Sequence, residues 1–115
     1  MKPRDVIRIW DKFTRPEKRK IHICVCEGRQ AFLRINSNPI FRPNHLLLVA
    51  DNREFLDHDS YVELNRILRH RQYEISQSEW IGTISRAQCV LLLKSVWASD
   101  AFTDNEKQFI EDQLQ

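Results

Sequence analysis

The chain has 115 residues, of which 42% are apolar and 30% are charged, and its formal net charge is +2. These values predict one globular domain over residues 1–115 and exclude a disordered segment. No apolar run approaches the ~20 residues that span a bilayer, and the start of the chain leads into no signal-peptide core. We therefore expect a cytoplasmic protein with no membrane partner.

The first third of the sequence predicts strands. Asp5–Phe13 fits helical spacing as well, but its β-branched residues favour a strand. Ile21–Cys26 alternates with period two and stops at Glu27–Arg29, where Gly28 suits a turn. Residues 31–37 should be the hairpin partner of that strand.

The middle of the chain predicts further short strands. Prolines punctuate residues 38–44, and His45–Ala50 then reads as a buried strand. Ser60–Leu64 alternates again, and Tyr73–Ile75 and Trp80–Ile84 should be short strands or extended segments.

The chain should be helical from about residue 85. Ser85 and Gln88 form a candidate capping box for a first helix, whose apolar stripe predicts a core position for Trp97. Thr103 and Glu106 form another capping box at the start of a second helix. About five or six strands followed by two helices predict an α+β fold, consistent with a small open barrel.

Two stretches are strongly basic, Arg15–Lys20 and Arg66–Arg71. Such clusters suit an anionic partner such as RNA, although a solvated charged face gives the same pattern. In the second stretch Arg66, Arg69 and Arg71 are candidate phosphate contacts, or charges that protect an exposed loop or edge strand.

The order of the segments resembles that of the MazF/PemK (Kid) toxin family. Arg4–Val6 is similar to the family's Arg-Gly-Asp-like opening without its glycine, and Phe55–Leu64 to the segment in which an Asp-Ser pair opens a strand. Ile75–Thr83 occupies the place of the connection to the family's helix, which starts near Ile84. The resemblance implies an SH3-like (PemK-like) β-barrel with C-terminal helices, and a homodimeric endoribonuclease that cuts single-stranded RNA and is neutralised by a cognate antitoxin.

The resemblance also implies the site. Family members use a basic residue and a hydroxyl, without metal or cofactor; by position these roles fall on Arg19 or Lys20 and on Ser37. The cation would stabilise charge on the scissile phosphate, and the hydroxyl would orient the 2′-OH. Arg34, on the strand that leads to Ser37, is a further candidate RNA contact.

His58, Asp59 and Ser60 have the side-chain types of a hydrolase triad, but adjacent strand residues point to opposite faces and form no relay. A turn with local hydrogen bonds is the simpler interpretation. His58 remains a candidate general acid or base at the rim of an RNA groove, because imidazole titrates near neutrality.

Three cysteines, an odd number, favour a reduced compartment. His22, Cys24 and Cys26 would share one strand face and suggest zinc, but such spacing rarely closes a tetrahedral site, so we expect no metal and buried apolar cysteines. Trp10 and Trp80 could stack on bases, or be core or interface anchors.

The alternative to a nuclease is a non-catalytic small barrel that binds nucleic acid or protein with the same basic surface. Small barrels host many functions, and fold resemblance alone does not decide the chemistry.

Overall fold

The computed structural model describes residues 1–115 and has an antiparallel sheet with three helices. The strands are β1 (Asp5–Asp11), β2 (Lys18–Cys26), β3 (Ala31–Asn36), β4 (Asn44–Leu47), β5 (Ser60–Glu63), β6 (Leu68–Arg69) and β7 (Glu79–Thr83). The helices are α1 (Gln72–Ser76), α2 (Arg86–Ala98) and α3 (Asp104–Leu114). The fold is therefore α+β, as the sequence predicts.

The sheet is open, with strand order β4-β5-β3-β2-β1-β7 and β6 paired to β3. β2 is its centre, since its register places Ile9 opposite Lys20 on one side and Phe32 opposite Cys24 on the other. No ladder joins the edge strands β4 and β7. Irregular registers lie between Val6 and Ile7 and between Cys24 and Cys26, at positions where bulges increase the local twist of a sheet.

The sheet is covered on both faces. The larger core joins alternate residues of β2 such as Ile23 and Val25 to the stripes of α2 and α3, including Leu92 and Ile110. A smaller cluster lies on the other face of the sheet, under α1: Ile7, Ile9, Cys24, Phe32 and Ile75. Because both faces are covered, all six residues of β3 are buried.

Both predicted helices are present, with their predicted starts. Thr103 and Glu106 form the reciprocal capping box of α3. Ser85 caps α2 by accepting a hydrogen bond from the Gln88 backbone, but the Gln88 side chain accepts from Asn52 and forms no box. The sequence therefore located both helix starts, and one of the two predicted boxes exists.

Three local predictions are wrong. Trp97 is 40% exposed, because α3 covers only part of α2, and its indole donates to Glu111. Tyr73–Ile75, predicted as a short strand or extended segment, lies in the helix α1. The predicted buried strand His45–Ala50 is instead the half-exposed edge strand β4, which ends at Leu47. The turn predicted at Glu27–Arg29 is present between β2 and β3, and its left-handed residue is Gln30, with φ 56°, and not Gly28.

None of the three helices combines the length and the apolar character that crossing a membrane would require.

Candidate nucleic-acid cleft

One concave surface contains all the residues that were predicted to be catalytic. This cationic cleft has a volume of about 430 Å³, inside the ~300–1,000 Å³ range of small-molecule sites. Arg19, Lys20, Ser37 and His58 all line it. Its other lining residues are Arg8, Lys18, Ile21, Ile35, Asn36, Asn38, Ile40, Phe55, Leu56, Asp57 and Ser60.

Three segments bring these residues together. Arg19 and Lys20 lie within β2, which begins at Lys18 and so starts three residues earlier than its apolar alternation indicates. Ser37 directly follows β3, the neighbour of β2 in the sheet. His58 lies in the turn before β5, which pairs with the end of β3. The β2–β3–β5 ladder therefore sets the position of the cleft.

The cleft is positively charged. Arg8, Lys18, Arg19 and Lys20 contribute four cations, and Asp57 is the one carboxylate in the lining. Outside the lining, Glu79 lies 3.5 Å from Arg8 and 4.0 Å from Arg19. These are exposed ion pairs, which are weak, so an incoming phosphate competes with them readily.

Lys20 has the most constrained side chain among the cleft cations. Its ammonium donates to Asn36 Oδ1 in a short hydrogen bond. Burial lowers the pKa of Lys20, and the positive charges of Arg34 and Lys18 lower it further. Its ammonium therefore gives up a proton more readily than that of an exposed lysine.

His58 lies between two serine hydroxyls. Its Nε2 is 3.4 Å from Ser37 Oγ, and its Nδ1 is 2.9 Å from the Asp59 carbonyl and 3.3 Å from Ser60 Oγ. The Asp59 carboxylate turns away and accepts from the Val49 backbone. His58, Asp59 and Ser60 therefore form a locally hydrogen-bonded turn with no triad relay, and the imidazole faces Ser37 across the cleft.

Arg34 does not reach the cleft surface. It is 2% exposed and donates to both carboxylate oxygens of Asp11, with Nε 2.6 Å from Oδ2. Its Nη1 lies 3.0 Å from Glu63 Oε2. The predicted RNA contact at Arg34 is therefore wrong for the folded chain, because the guanidinium is enclosed between two carboxylates.

The other predicted RNA contacts lie outside the cleft. Arg66 stacks over the Phe13 ring at 5.4 Å, and Arg69 donates to the Arg29 carbonyl. Arg71 is the N-cap residue of α1. All three are exposed, so the structure separates the second basic stretch from the residues of the first.

His22, Cys24 and Cys26 do not form a ligand set. The irregularity between Cys24 and Cys26 leaves Cys24 in the smaller cluster, whereas Cys26 packs against the larger core. His22 instead faces His70, with 3.3 Å between their Nε2 atoms. No group of three His, Cys, Asp or Glu side chains is arranged to hold a metal ion. All three cysteines are free, and burial raises the pKa of Cys24 to about 12.

Sequence reasoning missed several lining residues. Lys18 belongs to the first basic stretch and could have been named with its neighbours. Arg8 comes from β1, opposite Ile21, and only the strand register indicates that it lies here. Asn36 is the buried partner of Lys20. The sequence does not indicate this contact, because it joins residues of two different strands.

Comparison of the chain with models of known protein families gave no match, and comparison with curated proteins gave none either.

Proposed function

We propose that this chain is an endoribonuclease that cuts single-stranded RNA without a metal ion, in the manner of MazF/PemK toxins. The observation that carries the proposal is the cationic cleft, where Arg19, Lys20, Ser37 and His58 line one surface. Cations beside a hydroxyl and an imidazole suit a phosphodiester and proton transfer. On this proposal the open sheet corresponds to the SH3-like, PemK-like barrel of those toxins.

The cleavage step uses the RNA's own 2′-OH. The 2′-oxygen attacks the adjacent phosphorus as its proton leaves, the bond from phosphorus to the 5′-oxygen breaks, and that oxygen takes up a proton. The products are a 2′,3′-cyclic phosphate and a 5′-OH end. The reaction needs charge stabilisation on the phosphoryl oxygens and two proton transfers, and no redox partner.

Each role has a candidate in the cleft. Arg19 and Lys20 stabilise the negative charge that develops on the phosphoryl oxygens. Ser37 orients the 2′-OH, and His58, 3.4 Å from the Ser37 hydroxyl, exchanges the proton. The lowered pKa of Lys20 makes its ammonium a candidate donor to the leaving 5′-oxygen.

The proposal includes partners. It places a homodimer in the cytoplasm, kept inactive by a cognate antitoxin. Four cations in the cleft suit an acidic antitoxin segment that occupies the RNA path. Expression of the chain alone should arrest growth, and co-expression of the antitoxin should restore it.

The direct test incubates the purified protein with a long single-stranded RNA, with and without a chelator, and maps the ends. We expect discrete cuts that persist in chelator and leave 2′,3′-cyclic phosphates. A 2′-deoxy nucleotide 5′ to a cut should abolish that cut alone. Cuts that need a divalent ion, or that persist at the 2′-deoxy site, would contradict the proposed chemistry.

Variants connect the activity to the cleft. Replacing Arg19, Lys20 and Ser37 with alanine together should abolish cleavage and leave the circular dichroism spectrum unchanged. The matched control replaces two exposed cations and a serine outside the cleft: Arg86, Lys94 and Ser76. That control should cut RNA at the wild-type rate. Full activity in the cleft variant would refute the site.

The second candidate is a binding module without catalysis. It is supported by the same charge, because a cationic groove holds RNA whether or not protons are transferred. RNA that is bound but stays intact at high protein concentration would favour this function.

A further inference from the structure

A second recess lies beside the cationic cleft and shares a residue with it. This aromatic notch is lined by Trp10, Arg19, Tyr73, Glu74 and Gln77, and Arg19 also lines the cleft. A strand of RNA whose phosphate contacts Arg19 therefore has the notch within reach of its next base.

The notch presents two aromatic side chains to solvent. Trp10 is 47% exposed and Tyr73 is 59% exposed, so a ligand can reach both side chains. Trp10 lies directly opposite Arg19 in the β1–β2 ladder, so the indole and the guanidinium share one face of the sheet. The Trp10 indole donates to Glu17, which restrains a ring that stays partly exposed.

Polar groups complete the notch. The Glu74 carboxylate already accepts hydrogen bonds from Lys12 and from the Arg71 backbone. The side-chain amide of Gln77 makes no hydrogen bond within the chain and is exposed, so its donor and acceptor are both available to a base edge.

We propose that the aromatic notch is a nucleobase subsite, in which a base of the single-stranded RNA next to the scissile phosphate stacks on Trp10 and Tyr73 and contacts Gln77. This inference rests on the proposed function and adds to it a determinant of substrate position. Stacking accepts every base, whereas the Gln77 amide reads an edge, so the subsite sets both affinity and a preference for one base.

The test measures binding of a short single-stranded RNA whose 2′-O-methyl groups block cleavage. Its sequence spans a mapped cut site, or is mixed if RNA is bound and not cut. Each nucleotide in turn is replaced by an abasic one, and affinity is compared for the wild type, Trp10→Ala and Tyr73→Ala. At one position beside the cut, base removal should weaken wild-type binding by about 5- to 150-fold.

The test is decided by whether removing the base still weakens binding once the aromatic ring has been removed. In Trp10→Ala and Tyr73→Ala, binding of the intact RNA should fall by a similar factor, and the abasic position should then cost little more. Trp80→Ala is the matched control, because Trp80 is 58% exposed but lines a different recess, which contains neither Trp10 nor Arg19. It should bind like the wild type.

Two failures are distinguishable. If the wild type binds RNA and both notch variants bind equally well, with no abasic position dependent on them, the notch is overturned and the cleft stands. If the wild type binds no RNA at all, the proposed function falls and the notch falls with it.

Discussion

Among single residues, Arg34 has the clearest consequence for stability. Its guanidinium is enclosed by Asp11 and Glu63, and Asp11 is completely buried. Removing one partner of a buried ion pair leaves an uncompensated charge, which costs about 3–5 kcal/mol. Arg34→Ala should therefore lower the free energy of unfolding by about that amount, measured with urea.

The control for this prediction is Arg66→Ala. Arg66 is exposed and stacks on Phe13, so its loss should change stability by no more than about 1 kcal/mol. Equal losses in the free energy of unfolding for the two variants would mean that the burial of Arg34 does not contribute to stability.

The sequence could not identify this role for Arg34. Both faces of β3 are covered, so its residues show no alternation that separates an inward from an outward side chain. Asp11 is 23 positions away along the chain, and the contact exists only because β1, β2 and β3 are neighbours. From the sequence alone, Arg34 could therefore not be distinguished from a basic residue that contacts RNA at the surface.

His22 should make the protein less stable in mild acid. Burial, together with the charge of His70, lowers the pKa of His22 to about 3. The unfolded chain then binds more protons than the folded chain between about pH 6.5 and about pH 3, so stability is complete above that window and falls as the pH falls through it. The loss from His22 should reach about 2 kcal/mol by about pH 5.

Urea unfolding at about pH 7 and about pH 5 measures this effect. His22→Gln should remove the part of the loss that His22 causes, about 2 kcal/mol, and the exposed His58→Ala should retain it. Glu63, whose pKa burial raises, acts in the opposite sense in both proteins and cancels from the comparison. An acid loss that His22→Gln leaves unchanged would assign it to other groups, such as His70 or His45.

Among the elements, β7 depends on a glycine. A Cβ on Gly82 would lie 2.6 Å from Glu54 Oε1 and 3.0 Å from Phe55 Cδ1. Glu54 Oε1 accepts from the Thr83 backbone, so the added methyl displaces that hydrogen bond and presses on a core ring. Gly82→Ala should destabilise the fold by about 1–3 kcal/mol, measured by thermal or urea unfolding.

Gly28 supplies the control. It is exposed in the β2–β3 turn, has no neighbour within 4 Å of an added Cβ and has no positive φ. Gly28→Ala should leave stability unchanged or raise it by up to about 1 kcal/mol. A loss at Gly28 as large as that at Gly82 would contradict the steric argument.

Element starts were predicted where local chemistry sets them. The capping box of Thr103 and Glu106 is a contact between residues three apart, so the sequence contains it entirely. The helix α1 was missed because five residues, Gln72–Ser76, are too few to show a 3.6-residue period. Trp97 fitted the stripe of α2, but how far α3 covers that stripe depends on packing between helices.

For the whole molecule, the α+β class followed from the order of strands and helices, whereas the separation of the two basic stretches did not. Lys18–Lys20 line the cleft because β2 pairs with both β1 and β3. Arg66, Arg69 and Arg71 follow β5, in and around the short strand β6, and lie outside the cleft. Sequence clusters show charge density, and the sheet topology decides which charges act together.

If the chain binds RNA as proposed, this separation predicts the salt dependence of that binding. Each neutralised phosphate of a single strand contributes about −0.7 to the slope of log affinity against log salt. If the four cations of the cleft contact phosphates, the slope should be about −3, and it should approach −5 if Arg66, Arg69 and Arg71 also contribute. Binding is measured by fluorescence anisotropy on an uncleavable single-stranded RNA.

Two variants assign that slope to a surface. Lys18→Gln removes one cleft cation and should make the slope shallower by about 0.7. Arg69→Gln removes an exposed cation from the second stretch and should leave the slope unchanged, because its guanidinium lies outside the cleft and donates to the Arg29 carbonyl. If instead Arg69→Gln changes the slope and Lys18→Gln does not, the RNA path follows β6 and α1, and the cleft is not where RNA binds.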